Sequence, residues 1–284
     1  MIDLEEKLKK YNQEQIIVEI EKMNKEEQEK IAKQIEEIDF DKIQKLYKLT
    51  KENHVTNNGK IEPINYIDLE KISKEEKEEA KKIGENIIKK NEFAVVTMAG
   101  GQGTRLGWKG PKGTYKLDIG EKGKYIFEIL TENLMKAKEL YGTLPYWYIM
   151  TSKQNYKETV TFLEEHNFFG YEKDKIEFFM QGELPMLTED GKIVIEENKI
   201  KTGSNGNGGV YVAMKNQNII NDMKSKNVKW VYICGVDNIM VNPISPIFIG
   251  ETIKNNMQIA SKSVAKAYPE EKVGVFCKRN NKPS

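Results

Sequence analysis

Residues 93–116, FAVVTMAGGQGTRLGWKGPKGTYK, carry the clearest structural signal in the chain. The apolar run at 93–98 stops abruptly at Ala99-Gly100-Gly101, and the residues that follow are rich in glycine and basic side chains, with no carboxylate before Asp118. A short apolar run bounded by glycines indicates a buried strand, and the backbone N–H groups of a glycine-rich loop can hold an anion. The stretch therefore predicts a strand that leads into a phosphate-sized loop.

The chain after this loop alternates between helical and strand-like patterns. The helical patterns fall near 126–139, 156–166, 209–223 and 247–256, and the strand-like apolar runs fall near 146–150, 176–180, 230–235, 259–267 and 273–278. Such alternation predicts an α/β fold, with a Rossmann-like, mostly parallel mixed sheet flanked by helices. Ligands of such sheets bind beyond the carboxyl ends of the strands, so the loops after the strands are the expected place for site residues.

The first 90 residues have a different character. Residues 3–50 show apolar side chains three and four positions apart in a Lys- and Glu-rich background, which predicts amphipathic helices. These apolar positions are Leu4, Leu8, Tyr11, Ile31, Ile35 and Ile38. The segment 52–65 is rich in Asn and is typical of a connection, and Ser73 with Glu76 predicts a capping box at the start of a further helix. We expect an α-helical region at 1–90 packed on a sheet domain at 91–284.

Composition argues against several classes of partner. The 284 residues contain 45 Lys and Arg against 44 Asp and Glu, a net charge of +1, so no positive excess would hold the chain on nucleic acid or an anionic membrane. The longest apolar runs are of strand length, and the N-terminus, MIDLEEKLKK, has no apolar core. Neither a membrane span nor a signal peptide is predicted, and a cytoplasmic location is the expectation.

Cysteine and histidine are too few to suggest a metal cluster. Cys234 and Cys277 both lie within apolar runs, which favours two buried thiols in strands over a disulfide or a metal-binding pair. The two histidines, His54 and His166, have no zinc-ligand spacing. A zinc site is therefore not expected.

The glycine loop matches neither of the two common phosphate-binding fingerprints. Nothing in the chain fits the Gly-x4-Gly-Lys-Ser/Thr of a P-loop, and Leu106 takes the place of the third glycine of a Gly-x-Gly-x-x-Gly motif that would begin at Gly101. The glycines nevertheless let backbone N–H groups approach phosphate oxygens. Arg105 and Lys112 add positive charge, which makes them candidates for stabilising the charge on reacting phosphates.

The loop does resemble a known signature. The runs at 99–107, AGGQGTRLG, and at 111–113, PKG, are similar to those of the eukaryotic-type UDP-sugar pyrophosphorylases, and most of all to the UDP-N-acetylhexosamine branch of that family. Further segments resemble the family in the same order: YIMTS at 148–152, FFMQG at 178–182, LPM at 184–186, DGKI at 190–193, GNGGVY at 206–211, VDN at 236–238 and VGV at 273–275. The resemblance implies a nucleotidyltransferase domain at 91–284 that joins UTP and N-acetylglucosamine 1-phosphate and releases pyrophosphate.

The resemblance also implies roles for individual residues. The nucleotide-binding set would be Met98, Ala99, Gly100, Gly101, Lys112, Gln181, Gly206 and Asp237. Within it, Gln181 and Gly206 would hold the uracil, and an amide suits that role because it both donates and accepts hydrogen bonds. Arg105 and Lys112 would be the catalytic cations, and Asn207 would contact the sugar.

Asp237 is the expected metal ligand. It comes shortly after the apolar run at 230–235, and so lies at the carboxyl end of a predicted strand. Mg2+ at a nucleotide is commonly held by one carboxylate together with phosphate oxygens and waters, which makes Mg2+ the expected cofactor. A helix or turn cap is the structural alternative for this aspartate. Tyr211 and Met214, one turn apart, are expected in the core.

Other interpretations stay open at this point. The sugar could be glucose or a broader set of sugars, and the chain could be a truncated UTP-binding module without full activity. The family pattern continues past residue 284, so we expect a catalytic domain that is incomplete at its C-terminal end. Residues 279–282, RNNK, predict the turn of a hairpin. The expected partners are UTP and a sugar 1-phosphate, with no nucleic acid and no membrane.

Overall fold

The structure is a computed structural model that describes residues 2–52 and 59–283. Its contacts group the chain into two units. The helical unit is formed by residues 2–52 together with residues 182–209, and the sheet unit by residues 59–181 and 210–283. His54 and part of the predicted connection at 52–65 lie outside the described residues.

The described residues form ten α-helices and thirteen strands. The helices are α1 (Ile2–Lys10), α2 (Gln15–Glu21), α3 (Lys25–Glu36), α4 (Phe40–Lys51), α5 (Lys74–Lys89), α6 (Ile126–Tyr141), α7 (Tyr156–Glu165), α8 (Val210–Asn216), α9 (Ile219–Ser225) and α10 (Pro246–Lys254). The strands are β1 (Ile61–Pro63), β2 (Phe93–Met98), β3 (Lys116–Leu117), β4 (Lys124–Tyr125), β5 (Tyr146–Thr151), β6 (Ile176–Met180), β7 (Glu183–Pro185), β8 (Ile195–Glu196), β9 (Lys199–Ile200), β10 (Thr202–Ser204), β11 (Trp230–Gly235), β12 (Cys277–Arg279) and β13 (Lys282–Pro283).

A four-stranded parallel sheet is the centre of the sheet unit, with the strand order β11-β2-β5-β6. Successive side chains of a strand point to opposite faces, and each face of this sheet carries its own apolar core. Helices α5, α6, α7 and α10 contribute to one core, and α8 and α9 contribute to the other. The predicted α/β fold, a parallel sheet with helices on both faces, is confirmed.

Two glycines let α5 and α10 cross at very short range. A Cβ at Gly84 would lie 2.0 Å from the carbonyl oxygen of Pro246, and a Cβ at Gly250 would lie 1.8 Å from that of Ala80. This contact places α5 in the sheet unit, so the contact grouping differs from the sequence-based division at residue 90. The predicted start of α5 is confirmed, because Ser73 forms its capping box.

The helical unit packs α1–α4 around a small apolar core. As predicted, Leu8, Ile31 and Ile35 are fully buried. Ile193 and Ile200, from the segment between β7 and β10, join the same core. Short amphipathic helices need a partner for their apolar faces, and here residues 182–209 supply part of it.

The helix predicted near 209–223 is interrupted between α8 and α9. Asn218 has a left-handed backbone with φ of 63°, which an α-helix cannot accommodate. The side-chain amide of Gln217 instead bonds to both the N–H and the C=O of Met180, at the end of β6. Met214 is buried as predicted, whereas Tyr211 is 61% exposed, because the contacts of α8 with the sheet use other positions on that helix.

The strands predicted at 259–267 and 273–278 form only in part. Residues 259–266 have no regular structure, and the side chains of Ile259 and Val264 are exposed. No strand of residues 59–283 pairs with the outer edge of β11, and an isolated strand is not stable in water. Half-buried Cys277 begins β12, which pairs with β1 and, across the predicted turn, with β13.

Candidate functional site

The carboxyl ends of the parallel strands bring several predicted site residues to one edge of the sheet. Ala99 follows β2, Gln181 follows β6, and Asp237 lies two residues after β11. The N–H of Ala99 donates to Met150 O at 2.7 Å, and that of Gln181 donates to Thr151 O at 2.8 Å. The first residue of each loop is therefore still hydrogen-bonded to the neighbouring strand. This edge is where ligands of open parallel sheets bind.

Gly100 and Gln181 are in direct contact at this edge. A Cβ at Gly100 would lie 2.6 Å from Gln181 Oε1, so a side chain there would push the amide out of its present position. Gln181 is 8% exposed, and among the described residues no group hydrogen-bonds to its side chain. Its Oε1 and Nε2 nevertheless remain accessible to solvent, and the amide is therefore available to a ligand.

The loop after β2 folds back on itself and holds its own shape. The N–H of Gly103 donates to Gly110 O at 2.9 Å, and the N–H of Lys112 donates to Gly101 O at 3.0 Å. Within the segment that both bonds enclose, a short 3-10 turn puts Arg105 on the exposed surface. The backbone of the loop is thus set by the protein before any ligand is present.

The Pro-Lys-Gly segment is fixed by packing as well as by hydrogen bonds. Gly113 lies against the ring of Phe127, where a Cβ would be 2.2 Å from a ring carbon. The hydroxyl of Thr114 donates to Pro111 O at 2.8 Å. These contacts fix the backbone on both sides of Lys112, which limits where its ammonium can reach.

Lys112 and Asp237 form an ion pair, with 2.6 Å between Nζ and Oδ1. The lysine side chain is 12% exposed, whereas the aspartate side chain is 64% exposed. Two residues that the sequence assigns to one site from distant segments therefore meet. The pair joins a withdrawn cation to an accessible carboxylate, an arrangement in which phosphate oxygens can replace the carboxylate at the lysine.

The backbone N–H groups of the loop's first residues are open. Within residues 2–52 and 59–283, those of Gly100, Gly101 and Gln102 donate to no other protein group. A Cβ at Gly101 would have no heavy atom within 4 Å, so there is free space beside this backbone. Unpaired N–H groups beside free space can receive phosphate oxygens.

Gly206 and Asn207 belong to the helical unit, whereas the other predicted site residues belong to the sheet unit. Both are exposed, and Gly206 has a φ of 84° that favours glycine. Asn207 begins a 3-10 turn. Their contacts with uracil and sugar stay predictions.

One residue of this edge was not identified from the sequence. Asn155 follows β5, is fully buried, and hydrogen-bonds to the loop after β2. The signal was present in SKQN at 152–155, an Asn between a predicted strand and a predicted helix. Local sequence assigns such an Asn to a helix cap, and only the fold shows that its side chain turns to another loop.

Metal binding has one candidate ligand at this edge. In the part of the chain that the structure describes, there is no group of three or more His, Cys, Asp or Glu side chains that could hold a metal ion. The accessible carboxylate of Asp237 nevertheless fits Mg2+ at a nucleotide, because that ion takes one or two carboxylates and completes its shell with phosphate oxygens and waters. Among the described helices, none is long and apolar enough to cross a membrane.

A parallel α/β sheet, a preformed glycine loop with open N–H groups and an unpaired amide at the sheet edge are typical of nucleotide-binding proteins of the Rossmann-like type. A family model described as UTP--glucose-1-phosphate uridylyltransferase matches residues 37–284. The chain belongs to this family.

Relatives with narrower descriptions match as well. UDP-N-acetylglucosamine diphosphorylase 2 of Arabidopsis thaliana is 40% identical over 223 residues, which are 74% of this chain and 44% of the relative. UDP-N-acetylglucosamine pyrophosphorylase of Saccharomyces cerevisiae is 38% identical over 227 residues, 78% of this chain and 47% of the relative. The structure of the Trypanosoma brucei enzyme of the same name, in complex with an inhibitor, superposes with a TM-score of 0.80 and 27% identity, over 98% of this chain and 59% of that one. The chain thus spans less than half the length of these two curated relatives.

Proposed function

We propose that the chain is the nucleotide-binding part of a uridylyltransferase that joins UTP and N-acetylglucosamine 1-phosphate to give UDP-N-acetylglucosamine and pyrophosphate. The observation that carries the proposal is the unpaired, solvent-accessible amide of the otherwise buried Gln181, which is packed on Gly100. This amide stands next to a loop with open N–H groups, so a base and its phosphates can be bound at adjacent points. The family match supports uridylyl transfer from UTP, and the names of the relatives support UDP-N-acetylglucosamine as the product.

The residues at this edge suit nucleotidyl transfer. In the reaction an oxygen of the sugar phosphate attacks the α-phosphorus of UTP, the bond to the β-phosphate oxygen breaks, and pyrophosphate leaves with its electron pair. Such transfer needs positioning and neutralisation of negative charge more than covalent help from the protein. The open N–H groups of Gly100 and Gly101 would hold phosphate oxygens, while Lys112 and Arg105 would neutralise the charge that develops on them.

We also propose Mg2+ as the cofactor, with Asp237 as its protein ligand. The ion would neutralise phosphate charge when bound. Asp237→Asn removes the carboxylate charge with little change of shape, so a higher Mg2+ concentration should be needed for half-maximal pyrophosphate release. Activity of the unaltered protein in EDTA would contradict this assignment.

N-acetylglucosamine 1-phosphate is the proposed acceptor because the relatives at 38–40% identity carry that sugar in their names. Glucose 1-phosphate is the second candidate, since the family description names it. Asn207, in the helical unit, is the residue proposed to contact the sugar. Asn207→Ala should raise the KM for the sugar phosphate and leave the KM for UTP unchanged.

Pyrophosphate release tests the function directly. The protein is incubated with UTP, Mg2+ and either N-acetylglucosamine 1-phosphate or glucose 1-phosphate, and UTP binding is measured in parallel. We expect faster release with the acetylated sugar. Binding of UTP without release from either sugar would favour a nucleotide-binding module, and absence of UTP binding would contradict both. A cytoplasmic location, where UTP and sugar phosphates are available, is part of the proposal and is checked by localising a tagged protein.

A further inference from the structure

Asn155 occupies a helix-capping position without capping its helix. It is the residue before α7, and asparagine at this position usually accepts a hydrogen bond from the helix backbone. Here the side chain makes no such bond, although it is completely buried, with 0% exposure. Its polar atoms are used elsewhere.

The side-chain amide of Asn155 forms its hydrogen bonds with the loop after β2. Its Nδ2 donates to the carbonyl oxygen of Gly100 at 3.0 Å and to that of Gly101 at 3.3 Å. Its Oδ1 accepts a hydrogen bond from Nε2 of Gln102. One buried side chain thus contacts three consecutive residues of the loop.

These hydrogen bonds also fix the direction in which two backbone N–H groups of the loop point. In a planar trans peptide the C=O of one residue and the N–H of the next point in opposite directions. Because the carbonyls of Gly100 and Gly101 point to Asn155, the N–H groups of Gly101 and Gln102 point away from it. Among the described residues these two N–H groups donate to no other protein group.

We propose that Asn155 is a positioning residue for nucleotide phosphates. It holds two peptide groups of the loop so that their N–H groups point away from Asn155 and can bind phosphate oxygens. The inference rests on the proposed function, since it takes the ligand of the loop to be a nucleoside triphosphate. Asn155 does not itself touch the ligand. Its role depends on its donor, because two carbonyl oxygens face it, and an acceptor there would repel them.

The test compares three variants of the whole chain. Asn155→Asp keeps the shape and replaces the Nδ2 donor with a carboxylate oxygen, while Asn155→Ala removes the side chain. Ser152→Ala is the control, because Ser152 Oγ accepts from the backbone N–H of Asn155 at 3.1 Å and so lies in the same turn, while no described hydrogen bond joins Ser152 to the loop. Affinities for UTP and for uridine are measured by NMR titration, and thermal unfolding shows whether each variant folds.

We expect Asn155→Asp and Asn155→Ala to weaken UTP binding about tenfold or more, the usual effect of losing a buried hydrogen-bond partner. Uridine has no phosphate, so its affinity should stay within about twofold in both variants. Ser152→Ala should leave both affinities unchanged. If Asn155→Asp does not fold, the comparison of Asn155→Ala with Ser152→Ala decides.

A pH titration separates positioning from general damage. Burial raises the pKa of a carboxyl group, and the protonated form again carries a donor for the loop carbonyls. UTP affinity of Asn155→Asp relative to the unaltered protein should therefore recover as the pH is lowered from about 8 to about 6, and Asn155→Ala should show no such recovery.

The other possible outcomes contradict the positioning role, the specificity for UTP, or both proposals. Unchanged UTP affinity in both Asn155 variants, or an equal loss for UTP and uridine, overturns the positioning role and leaves the proposed function intact. If the unaltered protein binds ATP as tightly as UTP and the Asn155 variants weaken both, the positioning role holds and the specificity for UTP fails. If the unaltered protein binds neither nucleotide, both proposals fail.

Discussion

Lys112 carries its charge on a side chain that is 12% exposed, while the carboxylate of Asp237 that neutralises it is 64% exposed. An ammonium withdrawn from water needs an anion close by. Asp237 supplies one here, and an incoming phosphate can supply a better one. The Lys112 ammonium is thus held by an exposed carboxylate that an incoming anion can replace.

Substitution of Lys112 should affect turnover more than folding. Lys112→Ala should lower the rate of pyrophosphate release by about a hundredfold or more, as expected when one group that stabilises transition-state charge is removed. The free energy of unfolding should change by about 1 kcal/mol or less, because the partner carboxylate is well exposed.

Steady-state kinetics and urea unfolding measure the two effects. Lys109→Ala, which removes an exposed lysine of the same loop, is the control and should change neither quantity. Normal turnover of a folded Lys112→Ala protein would rule out the catalytic role.

The contact between Gly100 and Gln181 allows a double-mutant cycle. Gly100→Ala would put a methyl group 2.6 Å from Gln181 Oε1 and displace the amide. We expect the Gly100→Ala and Gln181→Ala variants to lose discrimination between UTP and other nucleoside triphosphates. The double variant should be no worse than the poorer single variant, because both changes remove the same interaction.

Competition binding with UTP and CTP gives the measurement for this cycle. Fully additive losses in the two single variants would mean that the glycine and the amide act independently, and would contradict the proposed link between them.

At the scale of elements, the crossing of α5 and α10 depends on having no side chain at two positions. Both glycines are within helices, where alanine is intrinsically favoured by about 1 kcal/mol. The space for a Cβ is nevertheless taken by backbone carbonyl oxygens of the facing helix, at 2.0 Å for Gly84 and 1.8 Å for Gly250. Backbone cannot move aside as a flexible side chain can, so the steric cost should exceed the gain in helix propensity.

We therefore expect Gly250→Ala to destabilise the sheet unit by about 1–3 kcal/mol, the usual cost of overpacking. Urea unfolding followed by circular dichroism provides the free energy. Gly274→Ala is the control, because no heavy atom would lie within 4 Å of its Cβ and its stability should be nearly unchanged. A Gly250→Ala protein as stable as the control would mean that the helices separate at no cost.

The strands of the parallel sheet were easier to predict than a break within a helix or a strand that lacks a neighbour. Residues 176–180 and 230–235 form β6 and β11 with the predicted bounds, because each is a compact apolar run with buried positions on the sheet. The helix at 209–223 breaks at Asn218, which a helical pattern does not exclude. The predicted strand at 259–267 is absent, because a strand depends on a neighbour that local sequence cannot supply.

At the scale of the whole molecule, stability should depend on pH through Cys234. Burial raises the pKa of this thiol to about 11 from an ordinary value of 9.0. The folded protein then holds the thiol proton more tightly than the unfolded chain does. The contribution of this thiol to the free energy of unfolding is complete below about pH 9. It is lost as the pH rises towards 11, by up to about 2–3 kcal/mol.

Unfolding in urea at pH 7, 9 and 10 tests this dependence, with Cys234→Ala as the matched variant. The unaltered protein should lose more free energy of unfolding between about pH 9 and pH 10 than the variant does. Tyr148 and Tyr171, whose pKa values are also raised by burial, are present in both proteins and cancel in the comparison. Identical pH profiles would show that Cys234 is not the responsible group.

The sequence by itself determined the features that depend on neighbouring residues. Three local features could be predicted: the apolar run and glycines at 93–103, the capping box at Ser73, and the apolar spacing of Leu8, Ile31 and Ile35. Each depends on residues only a few positions apart, because the periodicity of buried side chains, turn formation and helix capping all act over that range. The order of the family's segments also placed Gln181, Asp237 and Lys112 in one expected site.

Only the tertiary structure decided which distant segments meet. It brought Gln181 onto Gly100, paired Lys112 with Asp237, turned Asn155 from its helix to the loop and grouped residues 182–209 with the first helices. Each of these contacts joins segments far apart in the chain, and its free energy depends on packing and burial that arise only once the sheet has formed. A local pattern shows which residues of a segment can be buried, but only the fold determines which other segment covers them.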